Sequence, residues 1–247
     1  YEMSASLVGS EMCIRDSYST AQLSSKEIDY SRVLLQTETK EVGKQKVQIH
    51  RLSIPRGETF KVVLSEGTEV FLNSDSRLAY PTVFKGKERV VSLEGEAYFK
   101  VAKDAAHPFI VKSGNLQIRV LGTEFNVRSY SPTDVRVTLI TGKVAVSDTC
   151  GVHSVEMVPG QSVQLSSDGT FAVNEVDIES FLYWKEGFFY FDNVALVDMM
   201  KEIGRWYNID IEFRNSKIMD LRMHFFANRH QDIFHLSLIH ISEPTRL

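Results

Sequence analysis

The sequence has little cysteine, no cluster of basic residues and no catalytic motif, and each absence excludes a class of protein. Of the two cysteines, Cys13 lies in a terminal peptide described below and Cys150 stands alone, which argues against an internal disulfide or a zinc cluster. A net charge of −4 without a basic stripe argues against a nucleic-acid partner. Neither a Gly-x-Ser-x-Gly motif nor a glycine-rich phosphate loop occurs. We therefore expect no enzyme activity, no cofactor and no small-molecule substrate.

The residues that could carry chemistry are better explained as structural. Two sets of three histidines lack the spacing of metal ligands, namely His50, His107 and His153, and His224, His230 and His235. Glu94 and Glu96 would share one face of a continuous strand and could form an acid/base pair. The glycine between them predicts instead a turn or bulge, which would leave both carboxylates solvated at the rim. We expect no metal site.

The two ends of the chain are predicted to be translated sequencing adaptor. One back-translation of LSLIHISEPTR, residues 236–246, gives a DNA whose reverse complement encodes, in another frame, LVGSEMCIRDS, residues 7–17. A single transposase-type adaptor, translated once on each strand, explains both peptides. Residues 1–17 and 236–247 are therefore set aside from fold reasoning. The remainder, from Tyr18 to about His235, is expected to be a fragment of a longer protein.

Composition divides this remainder into three parts. Residues 18–46 are polar and weakly periodic, which predicts a linker with a short helix around 29–35. From 47 to 176, short apolar or alternating runs are separated by glycines, which is typical of an all-β sandwich, barrel or short solenoid. The fold class is therefore mainly β, with a small, truncated α+β module over 177–235. The runs predicted as strands are Val47–Leu52, Thr59–Leu64, Thr68–Leu72, Glu88–Leu93, Glu96–Val101, Phe109–Lys112, Leu116–Leu121, Phe125–Ser129, Val135–Ile140, Lys143–Ser147, Ser154–Val158, Ser162–Leu165 and Thr170–Val173.

The small module is predicted from a change of period. Phe188–Phe191 reads as a short aromatic strand, followed by Asp192–Asn193 as the N-cap of a helix. The apolar residues at helical spacing are Leu196, Met200, Ile203 and Tyr207. Asn208 suits the left-handed position that ends a helix. Ile209–Phe213 alternates apolar and acidic residues, which predicts a half-buried strand, and Met223–Phe225 begins another.

A series of short motifs follows a fixed order in the β body. They are Glu66–Asn73, Ser76–Leu78, Tyr80–Pro81, Val91–Val101, His107–Val111, Val120–Val127, Leu139–Val144 and Val158–Gln161. In order and spacing they resemble the FecR domain over about 53–175. Glu66 stands where that family usually has Asp, and Thr141 where it usually has Glu.

The module carries a second resemblance. Trp184–Phe189 followed by Phe191–Asn193, and Ile203–Tyr207 followed by Ile209–Ile211, resemble the C-terminal domain of FecR-like proteins. That domain is similar to the short N-terminal domain of secretins and TonB-dependent transporters. Such proteins typically have a cytoplasmic anti-sigma segment, one membrane helix and then this periplasmic region. The first two would lie upstream of Tyr18.

The resemblance implies a function and its partners. The chain is expected to be the periplasmic portion of a single-pass inner-membrane regulator, with its membrane helix upstream of 18–46. It would relay a signal from an outer-membrane TonB-dependent transporter, through that transporter's signalling domain, to a cytoplasmic sigma factor. The alternative is a non-catalytic envelope protein that binds carbohydrate or acts as a scaffold. Its support is thin, because 47–173 contains no Trp and only Tyr80, Tyr98 and Tyr130 as polar aromatics.

Aromatic residues concentrate at 183–191. In a strand, Phe189 and Phe191 face one side, and Phe188 and Tyr190 face the other. One set is expected to form the core of the module, and the other to cover the β body, which we favour, or to contact a partner. The predicted partner-binding residues are Phe188, Tyr190, Ile209, Ile211 and Phe213. Among them Ile209–Phe213 is the expected open edge for β-augmentation.

Overall fold

A computed structural model of the chain forms two compact units, Tyr1–Ile178 and Glu179–Leu247. The structure describes the backbone of residues 12–15, 20–23 and 27–29, and describes 49–131, 135–165 and 170–231 with their side chains. The predicted short helix around 29–35 lies outside the described residues beyond Asp29. The domain boundaries predicted from composition remain predictions.

The first unit is built of strands. In chain order they are β1 (Met12–Arg15), β2 (Thr20–Leu23), β3 (Glu27–Asp29), β4 (Ile49–Ile54), β5 (Phe60–Val63), β6 (Glu69–Leu72), β7 (Ser76–Pro81), β8 (Arg89–Lys100), β9 (Phe109–Ser113), β10 (Leu116–Val120), β11 (Glu124–Ser129), β12 (Val135–Thr141), β13 (Val144–Asp148), β14 (Ser154–Met157), β15 (Gln161–Leu165) and β16 (Phe171–Glu175). β1 lies in the stretch predicted as adaptor and pairs with β2. β2 and β3 lie in the predicted linker, and β3 adds a parallel strand to β5. The mainly β class is confirmed.

One large sheet of fourteen strands, β3 to β16, accounts for the rest of the described unit. Its strands alternate inward apolar and outward polar residues, as a pleated backbone requires. In β10, for example, Leu116, Ile118 and Val120 are buried, while Arg119 is exposed. The sheet closes around one core, in which the ring of Phe99 lies 5.1 Å from that of Phe125 and 6.1 Å from that of Phe109.

Strand β8 joins the two halves of this sheet. Its first half pairs with β7 and in parallel with β9, and its second half, from Gly95, pairs with β6 and β11. The sequence predicts two separate strands here, and the structure shows one of twelve residues. Gly95 has a φ of +90°, so the glycine bends the strand without ending it.

Strand β7 is the one strand of the main β body that the sequence did not predict. Its inward residues are Ser76, Leu78 and Tyr80, all buried. The polar Ser76 hides the apolar alternation, and Pro81 marks the end of the strand. Ser76 Oγ faces the bend of β8, where it accepts the Glu96 N–H over 2.8 Å and donates to the Glu96 carbonyl over 3.1 Å.

The second unit contains a hairpin and a helix. Its elements are a 3₁₀ turn at Glu179–Phe181, β17 (Phe188–Ala195), α1 (Leu196–Tyr207), a 3₁₀ turn at Ser216–Ile218 and β18 (Arg222–Asn228). β17 and β18 pair antiparallel. The core beneath α1 consists of Phe189, Phe191, Met199, Ile203 and Ala227. The predicted aromatic strand, helix face and final strand are confirmed, and Asn208 ends the helix at φ 52°, ψ 48°.

The predicted N-cap at Asp192–Asn193 is wrong. Both residues belong to β17, where the pairing shifts between Phe191 and Val194, and the helix begins at Leu196. The first helical N–H groups find backbone partners instead. Leu196 N–H donates to the Leu221 carbonyl over 2.8 Å, and Val197 N–H to the Met219 carbonyl over 3.0 Å. A distant loop therefore satisfies the helix start, so a side-chain cap is not needed.

The strand predicted at Ile209–Phe213 is also wrong. This segment has no ladder partner among the described residues, and β18 pairs with β17. Its start is drawn into the helix end, because Ile209 N–H donates to the Gly204 carbonyl over 3.0 Å. An alternating pattern makes a strand only where a neighbouring strand offers hydrogen bonds.

We predict that Gly95→Ala destabilises the first unit far more than Gly67→Ala. Both glycines have φ near +90°, so each alanine should cost about 1–3 kcal/mol of backbone strain. A Cβ on Gly95 would also lie 2.7 Å from Ser76 Cα, whereas one on Gly67 meets nothing within 4 Å. Overpacking should therefore cost Gly95→Ala a further ~1–3 kcal/mol.

Urea unfolding followed by far-UV circular dichroism measures the difference. Both tryptophans, Trp184 and Trp206, lie in the second unit, so their fluorescence separately reports on that unit. Equal losses of stability in the two variants would show that the close approach of Gly95 to Ser76 does not constrain the fold.

Candidate functional site

The hairpin β17–β18 has two faces of different character. Phe189 and Phe191 point inward and are buried under α1, as their alternation predicts. Phe188 and Tyr190 point to the other side and are half-buried. On the opposite strand Phe226 shares this outer face and is 57% exposed.

The outer face carries a group of touching aromatic rings, Tyr183, Phe188, Tyr190 and Phe226, which we call the aromatic patch. Phe188 and Phe226 stack with ring centroids 5.3 Å apart, and Tyr183 lies 5.5 Å from Phe226 and 4.9 Å from Tyr190. Rings that already restrain each other lose little conformational freedom when a partner covers them. An exposed apolar patch of this kind is typical of an interaction surface.

The hairpin also offers backbone hydrogen bonds. Within the described residues β17 and β18 pair only with each other, so each strand keeps one open edge. An open edge can accept an additional strand from another chain. The aromatic patch and the open edges thus belong to the same two strands.

The structure brings together only part of the predicted partner-binding set. Phe188 and Tyr190 lie on the aromatic patch. Ile209, Ile211 and Phe213 lie in the loop that follows α1, where Ile211 is 37% exposed and the other two are half-buried. Their role in partner binding stays a prediction, and it cannot involve a preformed edge strand at this loop.

Phe226 is the residue of the site that sequence reasoning missed. The predicted strand stopped at Phe225, one residue short of it. Extending the alternation of β18 by one position places Phe226 opposite Tyr190, where the structure has it. A fragmentary strand pattern therefore contained the signal, but its boundary hid the most exposed ring.

Comparison with known families matches both units. The sequence model of the FecR protein family matches residues 50–145, and that of the FecR C-terminal domain matches residues 188–236. The chain belongs to the FecR family. None of the curated proteins compared with the chain matches it.

Solved structures agree with this assignment. Two crystal structures of a candidate anti-sigma factor from Parabacteroides distasonis resemble the chain, each with a TM-score of 0.70. They are 27% and 28% identical to it, and the similarity covers 76% of this chain in both cases and 88% and 89% of theirs. In the described part of the FecR chain, no helix combines the length and apolar character needed to cross a bilayer.

Inside the FecR domain, Glu96 corrects a prediction from sequence. It is not a solvated rim charge: it is buried, at 4% exposure, while the Glu94 side chain is 76% exposed. Asn73 Nδ2 donates to Glu96 Oε2 over 2.9 Å and Asn126 Nδ2 donates to Oε1 over 3.0 Å, with Arg128 Nη1 3.7 Å away. The bend at Gly95 puts the two carboxylates in opposite environments, so they cannot form an acid/base pair.

A second buried charge in the FecR domain is Arg89, the first residue of β8. Its Nε donates to the His107 carbonyl over 2.8 Å and its Nη1 to the Ala102 carbonyl over 2.9 Å. The guanidinium thus ties together both ends of the connection between β8 and the parallel β9. The Glu66 carboxylate lies 3.6 Å from Nη1, and burial raises the pKa of Glu66, which Thr68 and Arg89 oppose only in part.

We predict that Glu96→Ala costs the FecR domain about 3–5 kcal/mol, because it leaves Arg128 and two buried amides without their acceptor. The matched control is Glu94→Ala, two residues away, which loses only an exposed ion pair with Arg77 and should change stability by less than about 0.5 kcal/mol. Urea unfolding followed by circular dichroism compares them. Similar losses in both variants would contradict the buried role of Glu96.

We predict that Glu66→Gln becomes relatively more stabilising as the pH rises. A carboxyl whose folded pKa is raised contributes stability at low pH that is lost as the pH rises through the folded pKa. Glutamine has no such dependence, so the stability of the variant relative to wild type should increase between about pH 4 and 7. Urea unfolding at a series of pH values measures this change. Glu94→Gln, the exposed control, should follow the wild-type curve, and a flat difference for Glu66→Gln would refute the expectation.

Proposed function

We propose that this FecR chain is the periplasmic portion of a single-pass inner-membrane sigma-factor regulator. It relays the state of an outer-membrane TonB-dependent transporter to a cytoplasmic sigma factor by protein–protein contact. The observation that carries the proposal is the presence of both FecR domains in one chain, together with an exposed aromatic patch on the C-terminal domain. The resemblance to a candidate anti-sigma factor supports the regulatory role.

The C-terminal domain is the part that contacts the transporter. Its hairpin combines an open strand edge, which offers main-chain hydrogen bonds, with rings that can bury apolar area. Main-chain pairing contributes affinity in β-augmentation, and side chains beside the edge contribute specificity. Phe226 is the expected anchor, because a large exposed ring among restrained neighbours is typical of an interface hot spot.

The FecR domain serves as a rigid body in this mechanism. Its core is continuous through the fourteen-stranded sheet, and its buried charges are engaged with neighbouring groups. The transporter's signalling domain would favour one of two states of the regulator, and that preference would change its hold on the sigma factor. A useful switch of this kind needs a difference in binding free energy of several kcal/mol, up to about 5.5 kcal/mol for a near-complete change of state.

The alternative of carbohydrate binding by the β body loses its candidate residues. Tyr80 and Tyr98 are buried, at 2% and 4% exposure. Tyr130 is half-buried, and its hydroxyl donates to the Ser74 carbonyl over 2.9 Å. Sugar binding on a sheet face needs accessible rings, which these three do not supply.

We predict that Phe226→Asp weakens binding of a cognate transporter signalling domain by roughly tenfold or more, since an aromatic anchor contributes at least ~1–2 kcal/mol. The matched control is Leu221→Asp, which changes a 52% exposed apolar residue just beyond the other end of the hairpin and should leave affinity unaltered. Because both side chains are exposed, both variants should retain the wild-type unfolding curve.

Isothermal calorimetry between the periplasmic region and the signalling domains of the same organism's transporters gives the affinities. No binding of any of these domains to the wild-type protein, even at high concentration, would refute the proposed function. Binding that Phe226→Asp leaves unchanged would instead move the contact away from the aromatic patch.

A further inference from the structure

The C-terminal domain has a small apolar core for the work of holding a helix against a hairpin. Only five apolar side chains are buried in its described part, namely Phe189, Phe191, Met199, Ile203 and Ala227. A core of this size gives limited stability by itself. The contacts that fix α1 on the hairpin must therefore include something besides apolar packing.

A buried arginine supplies that contact. Arg229, immediately after β18, is 2% exposed, which is rare for a charged side chain. Its guanidinium carbon lies 4.7 Å from the ring centre of Phe189 and 5.3 Å from that of Trp206. Its Nη2 donates to Glu202 Oε1 over 2.8 Å. The side chain thus joins the hairpin, through Phe189, to the helix, through Glu202 and Trp206.

The backbone around Arg229 is held by the same helix. Trp206 Nε1 donates to the Arg229 carbonyl over 2.6 Å, and the Tyr207 hydroxyl donates to the carbonyls of Arg229 and Gln231 over 3.1 and 2.7 Å. On the hairpin side, Arg229 N–H donates to the Gly187 carbonyl over 2.9 Å. The last turn of α1 therefore grips the chain where it leaves the hairpin.

These contacts depend on each other. A buried ion pair contributes little compared with an apolar pair of the same shape, but removing one partner leaves the other charge buried and unpaired. Release of Arg229 would also free the two carbonyls that Trp206 and Tyr207 hold. Such a group of contacts tends to be wholly formed or wholly broken, which is the behaviour expected of a two-state element.

We propose that the Arg229–Glu202 pair, clamped between Phe189 and Trp206, is a lock that sets the balance between a closed and an opened arrangement of α1 on the hairpin. Partner binding to the hairpin is coupled to this balance. The inference rests on the proposed function for its partner, but not for the lock itself. It assigns the two-state element of the regulator to its smaller domain.

Hydrogen exchange of the wild-type chain and its variants tests the lock. Glu202→Gln keeps the size of the side chain and removes its charge, and Arg229→Lys keeps the charge and loses the planar fork and stacking. Both should speed amide exchange in 196–207 and 222–228 by ~5–30-fold, while amides in 49–165 keep wild-type rates. The matched control is Lys201→Ala on the same helix, where an exposed pair with Asp198 at 2.9 Å is lost and exchange should not change.

The outcomes separate the claims. Exchange in α1 that is no faster in Glu202→Gln than in Lys201→Ala, or that rises equally in 49–165, overturns the lock. Binding of a transporter signalling domain, measured on the same samples, should change at least threefold in Glu202→Gln and stay constant in Lys201→Ala. Altered exchange with unaltered affinity overturns the coupling. Absence of binding by the wild-type protein removes the proposed function and leaves the exchange result to decide the lock alone.

Discussion

The bend in β8 is the constraint on which the first unit depends. At Gly95 the strand passes from one half of the sheet to the other, and the backbone of Ser76 lies too close for any side chain at that position. The bend turns Glu96 inward, where Asn73 and Asn126 donate to its carboxylate. A buried carboxylate with these partners fixes the relative position of β6, β8 and β11, because its bonds to them are lost if the strands shift.

The two FecR domains divide stability and adaptability between them. The first has a continuous core, and its buried charges are tied to backbone and side-chain partners of neighbouring strands. The second has few buried apolar side chains and holds its helix partly through Arg229. Motions of functional use are drawn from the less stable parts of a protein. The proposed binding surface and the proposed lock both lie in the second domain, which is consistent with a regulator that changes state on contact.

Local patterns were sufficient to predict the class of each element. Alternating apolar residues between glycines predicted twelve of the thirteen strands from β4 to β16, with two runs merging into β8. Helical spacing predicted α1, and Asn208 its end. These features follow from the pleat, the helical period and the left-handed conformation, which act over a few neighbouring residues. The orientation of Phe188 and Tyr190 away from the core followed from the same alternation.

The sequence by itself determined the order of the strands and helix and which residues of each are apolar, because those properties reside in adjacent residues. Only the tertiary structure decided the environment of Glu96, since burial depends on where β6 and β11 lie. It also decided that a loop carbonyl rather than Asp192 caps α1, and that Ile209–Phe213 has no strand to pair with in the described chain. It placed Phe226 beside Phe188 and Arg229 beneath Trp206, contacts that join residues more than twenty positions apart. Such contacts arise from pairing and packing, for which a single sequence gives no local signal.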